Sequence, residues 1–219
     1  MRKIAIIIIV LLLLMIAGVS GVFYHWKTTG EKEKIRKEAF VYFNEEDYVK
    51  AADLFEELLD KKTLFSSDTD KDAEAYLAEC YYQLEDYKQA DKLYDRLIDG
   101  NPGETRNYLL KGSCLEDQDR AEEAVSCYEQ GYKETGAPEL LLRICRVYIE
   151  EKDYDKALEH AEEGTKGDSR QEFLFMKIVI EEKARDYQAA YEAAEEYISL
   201  YPEDEKGRKE YVFLSTRIP

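Results

Sequence analysis

Paired cysteines, histidine and surplus positive charge are what this 219-residue chain lacks. It holds two histidines, His25 and His160, and four cysteines, Cys80, Cys114, Cys127 and Cys145, with no CxxC pair among them. A zinc site needs such ligands close together, so none is supported. Lys and Arg number 31 against 48 Asp and Glu, a formal charge of −17. Arg2, Lys3 and Lys27 are the only charged residues before residue 28, which leaves −20 on the remainder. Such a body repels phosphate backbones, and no basic stripe with interleaved aromatics offsets the repulsion, so nucleic acid is not an expected partner. Also missing are a Walker loop, GxGxxG, HExxH and GxSxG, and with them the usual settings for a nucleophile or a phosphate. His160 reads as a surface histidine on a helix, beside Glu159 and Glu162. Acid pairs such as Glu56-Glu57 and Glu195-Glu196 read as solvated helix faces. The expectation is a protein that is not an enzyme, with no cofactor, no metal and no small-molecule substrate.

Charge is absent altogether from Ile4 to Tyr24. These mostly aliphatic positions make a helix ~31 Å long, the thickness of a bilayer's hydrocarbon core. Arg2 and Lys3 precede the stretch, and Phe23, Tyr24, His25 and Trp26 follow it as an interfacial aromatic belt ahead of Lys27. Residues 1–27 are therefore expected to be one N-terminal transmembrane helix, with 28–31 a short linker. More positive charge before the span than just after it places the N-terminus in the cytoplasm and the rest of the chain outside, in a single-pass cell-membrane arrangement. Small residues at Ala17, Gly18, Ser20 and Gly21 leave open a cleaved secretory signal, although the apolar run continues through Val22, Phe23 and Tyr24. A cytoplasmic domain behind an inverted anchor is a third reading, which needs the charge rule to fail.

Self-similarity organises the remainder. An Asp-Tyr-x-x-Ala unit, with an aromatic or small residue four positions after the alanine, recurs around Ala51, Ala90, Ala124, Ala157 and Ala190, spaced 39, 34, 33 and 33 residues apart. Tyr48, Tyr87, Tyr154 and Tyr187 fill the tyrosine position, and Ala121 replaces it in the third copy. Twelve residues before each of these alanines, Ala39, Ala78, Gly112 and Cys145 share a register at which only a small residue lets two helices cross closely; Ile178 breaks it. The second copy, Lys71 to Glu104, has Leu77, Ala78 and Tyr81 on a first helix, Ala90 and Tyr94 on a second, and Pro102 ending it.

On these residues the chain resembles the tetratricopeptide repeat family, whose unit of about 34 residues is a pair of antiparallel helices. The resemblance covers about four fifths of the sequence. It implies an all-α protein: an α-solenoid of five helix pairs over residues 32–204, in copies Lys32–Phe65, Lys71–Glu104, Thr105–Pro138, Pro138–Gln171 and Gln171–Asp204, then a capping helix over 205–219. Copy five carries Lys177 and Glu181 where the family prefers apolar residues, so its first helix is expected to pack less tightly. Ser66 to Asp70 reads as an inserted loop with a helix N-cap. The final helix is expected to put Tyr211, Val212 and Leu214 on one side. Each cysteine falls within a helix, as a small buried residue or, for Cys114 and Cys127, as a disulfide joining two helices of one copy.

In that family the first helix of each unit lines a concave face. Here the same positions are Tyr76, Glu79, Tyr82, Arg106, Leu109, Ser113, Leu142, Arg143, Arg146, Ile149, Phe175 and Val179, a mixture suited to an extended or helical peptide. Arg106, Arg143 and Arg146 are either a carboxylate-binding set or members of internal salt bridges. The Lys/Asn clamp by which some members grip C-terminal carboxylates is not reproduced, because Arg36 and Phe40 stand in its places. The expected function is that of a membrane-tethered scaffold or adaptor binding protein or peptide partners in a bacterial envelope assembly. The alternative is a secreted, soluble binding or regulatory subunit.

Overall fold

A computed structural model of the protein describes residues 2–61 and 68–218, with the side chains of residues 2–14, Ala17 and Asp68 outside that description. Eleven helices and no strand make up the described residues: α1 (Arg2–Asn44), α2 (Tyr48–Asp60), α3 (Asp68–Gln83), α4 (Tyr87–Gly100), α5 (Thr105–Glu116), α6 (Ala121–Thr135), α7 (Pro138–Glu150), α8 (Tyr154–Gly164), α9 (Arg170–Ala184), α10 (Tyr187–Leu200) and α11 (Glu205–Ser215). They read as five pairs and a closing helix. The helices divide into two compact units, one ending at Leu97 and the other starting at Ile98. In the first, α2 packs on α1 and on α3. In the second, each helix from α5 to α11 packs on the next, and α7 also touches α5 and α9.

The recurring Asp-Tyr motif is explained by the turn it makes. Glu46, Glu85, Asp119, Lys152 and Arg185 all have φ between 57° and 63°, the left-handed conformation that ends a helix in a tight reversal. The next residue donates its N–H back across the turn, from Asp47 to Tyr42 (2.9 Å), Asp86 to Tyr81 (2.8 Å), Arg120 to Leu115 (3.0 Å), Asp153 to Tyr148 (2.8 Å) and Asp186 to Glu181 (3.0 Å). Where that residue is Asp, its carboxylate also accepts from the first turn of the following helix, at Lys50, Gln89, Lys156 and Ala189. One aspartate thus closes one helix and opens the next, which fixes the hairpin. The third copy has Arg120 there; it makes no side-chain cap and instead pairs with Glu123 at 2.6 Å.

Several sequence expectations change. Residues 28–31 are helix rather than linker, because α1 runs unbroken to Asn44. Thr28 and Thr29 hydroxyls donate to the Tyr24 and His25 carbonyls (2.9 and 2.8 Å), and the buried Lys32 ammonium meets Asp70 on α3 at 2.6 Å. Together they hold this stretch helical despite Gly30. The expected span Ile4–Tyr24 lies in α1, with the side chains of residues 4–14 and Ala17 outside the described ones. Among the described residues no helix is long and apolar enough to cross a membrane. Of the inserted loop with a helix N-cap expected over Ser66 to Asp70, residues 66 and 67 lie outside the described ones and Asp68 to Asp70 are already helix, since α3 begins at Asp68.

The first helix of the fifth copy is not loosened. Ile178 is fully buried, in a cluster with Ala190 and Ala194, so the small residues come from the opposite helix. Lys177 reaches Glu162 at 2.9 Å. On α11, Tyr211 and Leu214 pack inward, but Val212 is 61% exposed, since neighbours on a helix point about 100° apart. His160 is not a surface residue: its ring stacks on Tyr148 at 5.6 Å with 16% of the side chain exposed. All four cysteines are buried. The Cys127 thiol donates to the Tyr108 carbonyl (3.8 Å) and the Cys114 sulfur accepts from Gln118 (3.5 Å), so the two are engaged separately and not with each other.

Candidate functional site

Helices α7 and α9, the first helices of copies four and five, lie side by side in the second unit, and along them runs an open groove of about 830 Å³. A helix returns to the same face every three or four residues. α7 accordingly presents Leu142, Arg146, Ile149 and Glu150, and α9 presents Glu172, Phe175, Met176, Val179 and Lys183. The end of the groove is built by two further helices. Tyr197 of α10 packs edge-to-face on Phe175 (5.6 Å) and its hydroxyl accepts from Gln171 Nε2 at 2.9 Å. Burial holds that hydroxyl's pKa above its usual value. Lys206 of α11 sets its ammonium 3.7 Å from the Phe175 ring centroid.

Gly207 explains how a residue of the closing helix comes to stand there. A Cβ at Gly207 would lie 2.3 Å from Tyr197 Cε1, so only glycine lets α11 approach α10 this closely. The Asp204 carboxylate accepts from the Gly207 N–H at 2.6 Å and starts the helix at that point. Lys206, beside this contact, is thereby aimed over Phe175.

Of the twelve residues expected on the concave face, the groove gathers Leu142, Arg146, Ile149, Phe175 and Val179. The others serve elsewhere. Tyr76 is a packing residue, edge-on to Phe40 (4.6 Å) and Phe43 (5.2 Å) and stacked on Phe55 (5.9 Å). Glu79 accepts from Gln83 (3.2 Å), and Tyr82 tilts against Tyr87 (6.2 Å). Leu109 packs on the core of the second unit. Ser113 is hydrogen-bonded to Tyr128, whose hydroxyl also donates to Glu116. Arg143 acts electrostatically on that same hydroxyl, whereas Arg106 is exposed at the start of α5. No carboxylate lies within 4.0 Å of Arg106, Arg143 or Arg146, so among the described residues they are not the internal salt-bridge set considered from sequence.

Sequence reasoning missed Glu150, Gln171, Glu172, Met176, Lys183, Tyr197 and Lys206. For Gln171 and Lys183 the signal was present, since 171, 175, 179 and 183 are one i, i+4 row of α9. Tyr197 and Lys206 come from helices outside the first-helix set and carried no periodic signal.

Burial pushes the thiols of Cys80 and Cys145 up to about 12, which keeps them protonated and inert. No group of His, Cys, Asp and Glu among the described residues is arranged to hold a metal ion.

Residues 142–205 match the sequence profile of the tetratricopeptide repeat, and residues 61–131 that of the anaphase-promoting complex, cyclosome, subunit 3. No curated protein matches the sequence. Among solved structures, a tetratricopeptide repeat protein from Parabacteroides merdae superposes with a TM-score of 0.62, at 14% identity, over 84% of this chain and 72% of that one. MamA from Desulfovibrio magneticus gives 0.57 at 13% identity over 80% of this chain and 97% of its own. pilF from Pseudomonas aeruginosa gives 0.54 at 16% identity over 87% and 91%. At these identities the likeness is one of fold.

Proposed function

We propose that this chain, whose fold is that of the tetratricopeptide-repeat proteins, is a non-catalytic adaptor that holds a protein or peptide segment in the groove along α7 and α9. Proteins of this fold generally mediate protein–protein contacts. The observation that carries the reading is the groove itself: about 830 Å³ of open space floored by Leu142, Ile149, Phe175 and Val179 and rimmed by charge. An apolar floor with a few polar groups at its edge is the composition of a peptide site.

We further propose that the chain is a single-pass membrane protein, with the N-terminus in the cytoplasm and the repeats outside, serving an assembly of the bacterial envelope. In support, Ile16, Val19, Val22, Phe23, Tyr24 and Trp26 of α1 are each between 58% and 72% exposed. Apolar side chains exposed all round a helix suit lipid better than water.

Two experiments test these readings. A photo-crosslinking residue at Val179 is expected to capture a partner in native membranes, and the same residue at the exposed Glu159 of α8 is not. Equal capture at both positions, or at neither, removes the groove from the function. For the tether, the protein is expected to stay in the membrane after a carbonate wash with residues 1–21 present in its intact mass. Release of a shortened chain would establish the secreted form instead.

A further inference from the structure

We infer that the groove takes an extended peptide bearing two acidic side chains four residues apart, with an aliphatic side chain midway between them; this rests on the adaptor reading and names the chemistry of the partner. The chain as a whole has 48 acidic against 31 basic residues. Lys32, Arg36, Lys61, Arg120, Lys156 and Lys177 all lie within 4.0 Å of a carboxylate. Among the described residues Arg146, Lys183 and Lys206 do not, and the lining of this groove carries these three cations against two acids, Glu150 and Glu172. The sign of the surface is inverted there, and the occupant that complements it is anionic.

Spacing then narrows the class. Lys206 stands over Phe175, and Lys183 lies eight residues further along α9, or ~12 Å at the helical rise. A single carboxylate cannot reach both. An extended chain covers ~12 Å in about four residues, and its residues i, i+2 and i+4 point to one face. An acid, an apolar residue and an acid at those positions meet Lys206, the stripe of Leu142, Ile149 and Val179, and Lys183 in turn, with Arg146 alongside. Lys206 rests on the aromatic face of Phe175, a weak contact that a carboxylate displaces.

Fluorescence anisotropy on the full-length chain in mild non-ionic detergent tests this with capped, C-terminally amidated peptides. The core Glu-Ala-Leu-Ala-Glu is expected to bind at least ~10-fold more tightly than Gln-Ala-Leu-Ala-Gln, and Lys183→Gln or Lys206→Gln to abolish the difference, as for loss of one charged hydrogen bond. Lys133→Gln on α6 leaves it intact. Equal binding of the two peptides, no binding of either, or an unchanged preference in Lys183→Gln and Lys206→Gln overturns the inference. So does a Gln peptide with a free C-terminal carboxylate that binds as tightly as the Glu peptide, which would identify a chain terminus as the ligand. If Val179 still crosslinks a partner while the peptides fail to discriminate, the adaptor reading stands and the acidic peptide falls.

Discussion

In repeats one to three the second helix carries a buried aromatic ring, Phe55, Tyr94 or Tyr128, and the first helix a buried small residue, Ala39, Ala78 or Gly112, at the recurring register. In repeat five the second helix brings Ala194 and the first helix fills the space with Ile178, while repeat four has small residues, Cys145 and Ala161, on both. Each of the ten is buried. The bulk at the crossing can thus come from either helix, and a small residue is not tied to a particular one. The tightest case is Gly112, where a Cβ would lie 2.0 Å from Tyr128 Cε1.

If volume is what is shared, swapping sizes across one crossing separates it from any fixed rule for one helix. The largest effects are expected from single changes. Ile178→Ala leaves a cavity and should cost about 2–5 kcal/mol. Gly112→Ala should cost about 3 kcal/mol by overpacking, and Ala194→Phe about 2–3 kcal/mol. The double variant Ile178→Ala with Ala194→Phe imposes the pattern of repeat two on repeat five, and should lie within about 1.5 kcal/mol of the parent. Urea denaturation measures all four, and simple additivity of the two single changes would break the comparison.

Smaller effects sharpen the contrast between turns. Asp186→Ala removes a helix cap and should cost about 1 kcal/mol, whereas Arg120→Ala in the third repeat removes no cap and should cost less. Lys152→Gly should stabilise by about 1 kcal/mol, because glycine adopts the left-handed turn without strain.

The smallest expected effect concerns Glu181, a charge where the family prefers an apolar residue. Burial raises its folded pKa above the unfolded value, so folding favours its protonated form. The penalty of the charged form is absent below the unfolded carboxylate range and grows as pH rises through the folded value. Glu181→Gln should therefore stabilise the protein at pH 7, with the gain shrinking as pH falls toward 4. A gain independent of pH would assign the effect to something other than this charge.

Much of the fold was legible in the sequence because it rests on local rules. The Asp-Tyr-x-x-Ala phase placed every hairpin, since a left-handed C-cap and an Asp N-cap are properties of a few consecutive residues. The groove was legible in part. Leu142, Arg146, Ile149, Phe175 and Val179 follow from helical phase, but phase cannot separate a residue facing open space from one facing a neighbouring helix. Tyr76 has the phase of a binding residue, and three aromatic neighbours, Phe40, Phe43 and Phe55, make it a packing residue.

Sequence alone determined five helix pairs, their turns, the closing helix and the acidic balance, because period, capping and composition are set by residues near one another in the chain. Only the tertiary structure decided that repeat five is tightly packed, that α1 continues through residues 28–31, and that Lys206 stands over Phe175. Each of these depends on what a distant helix supplies: the alanines opposite Ile178, Asp70 beside Lys32, and Tyr197 against Gly207. A volume or a charge is satisfied in space, and helical phase specifies only one of the two surfaces that meet.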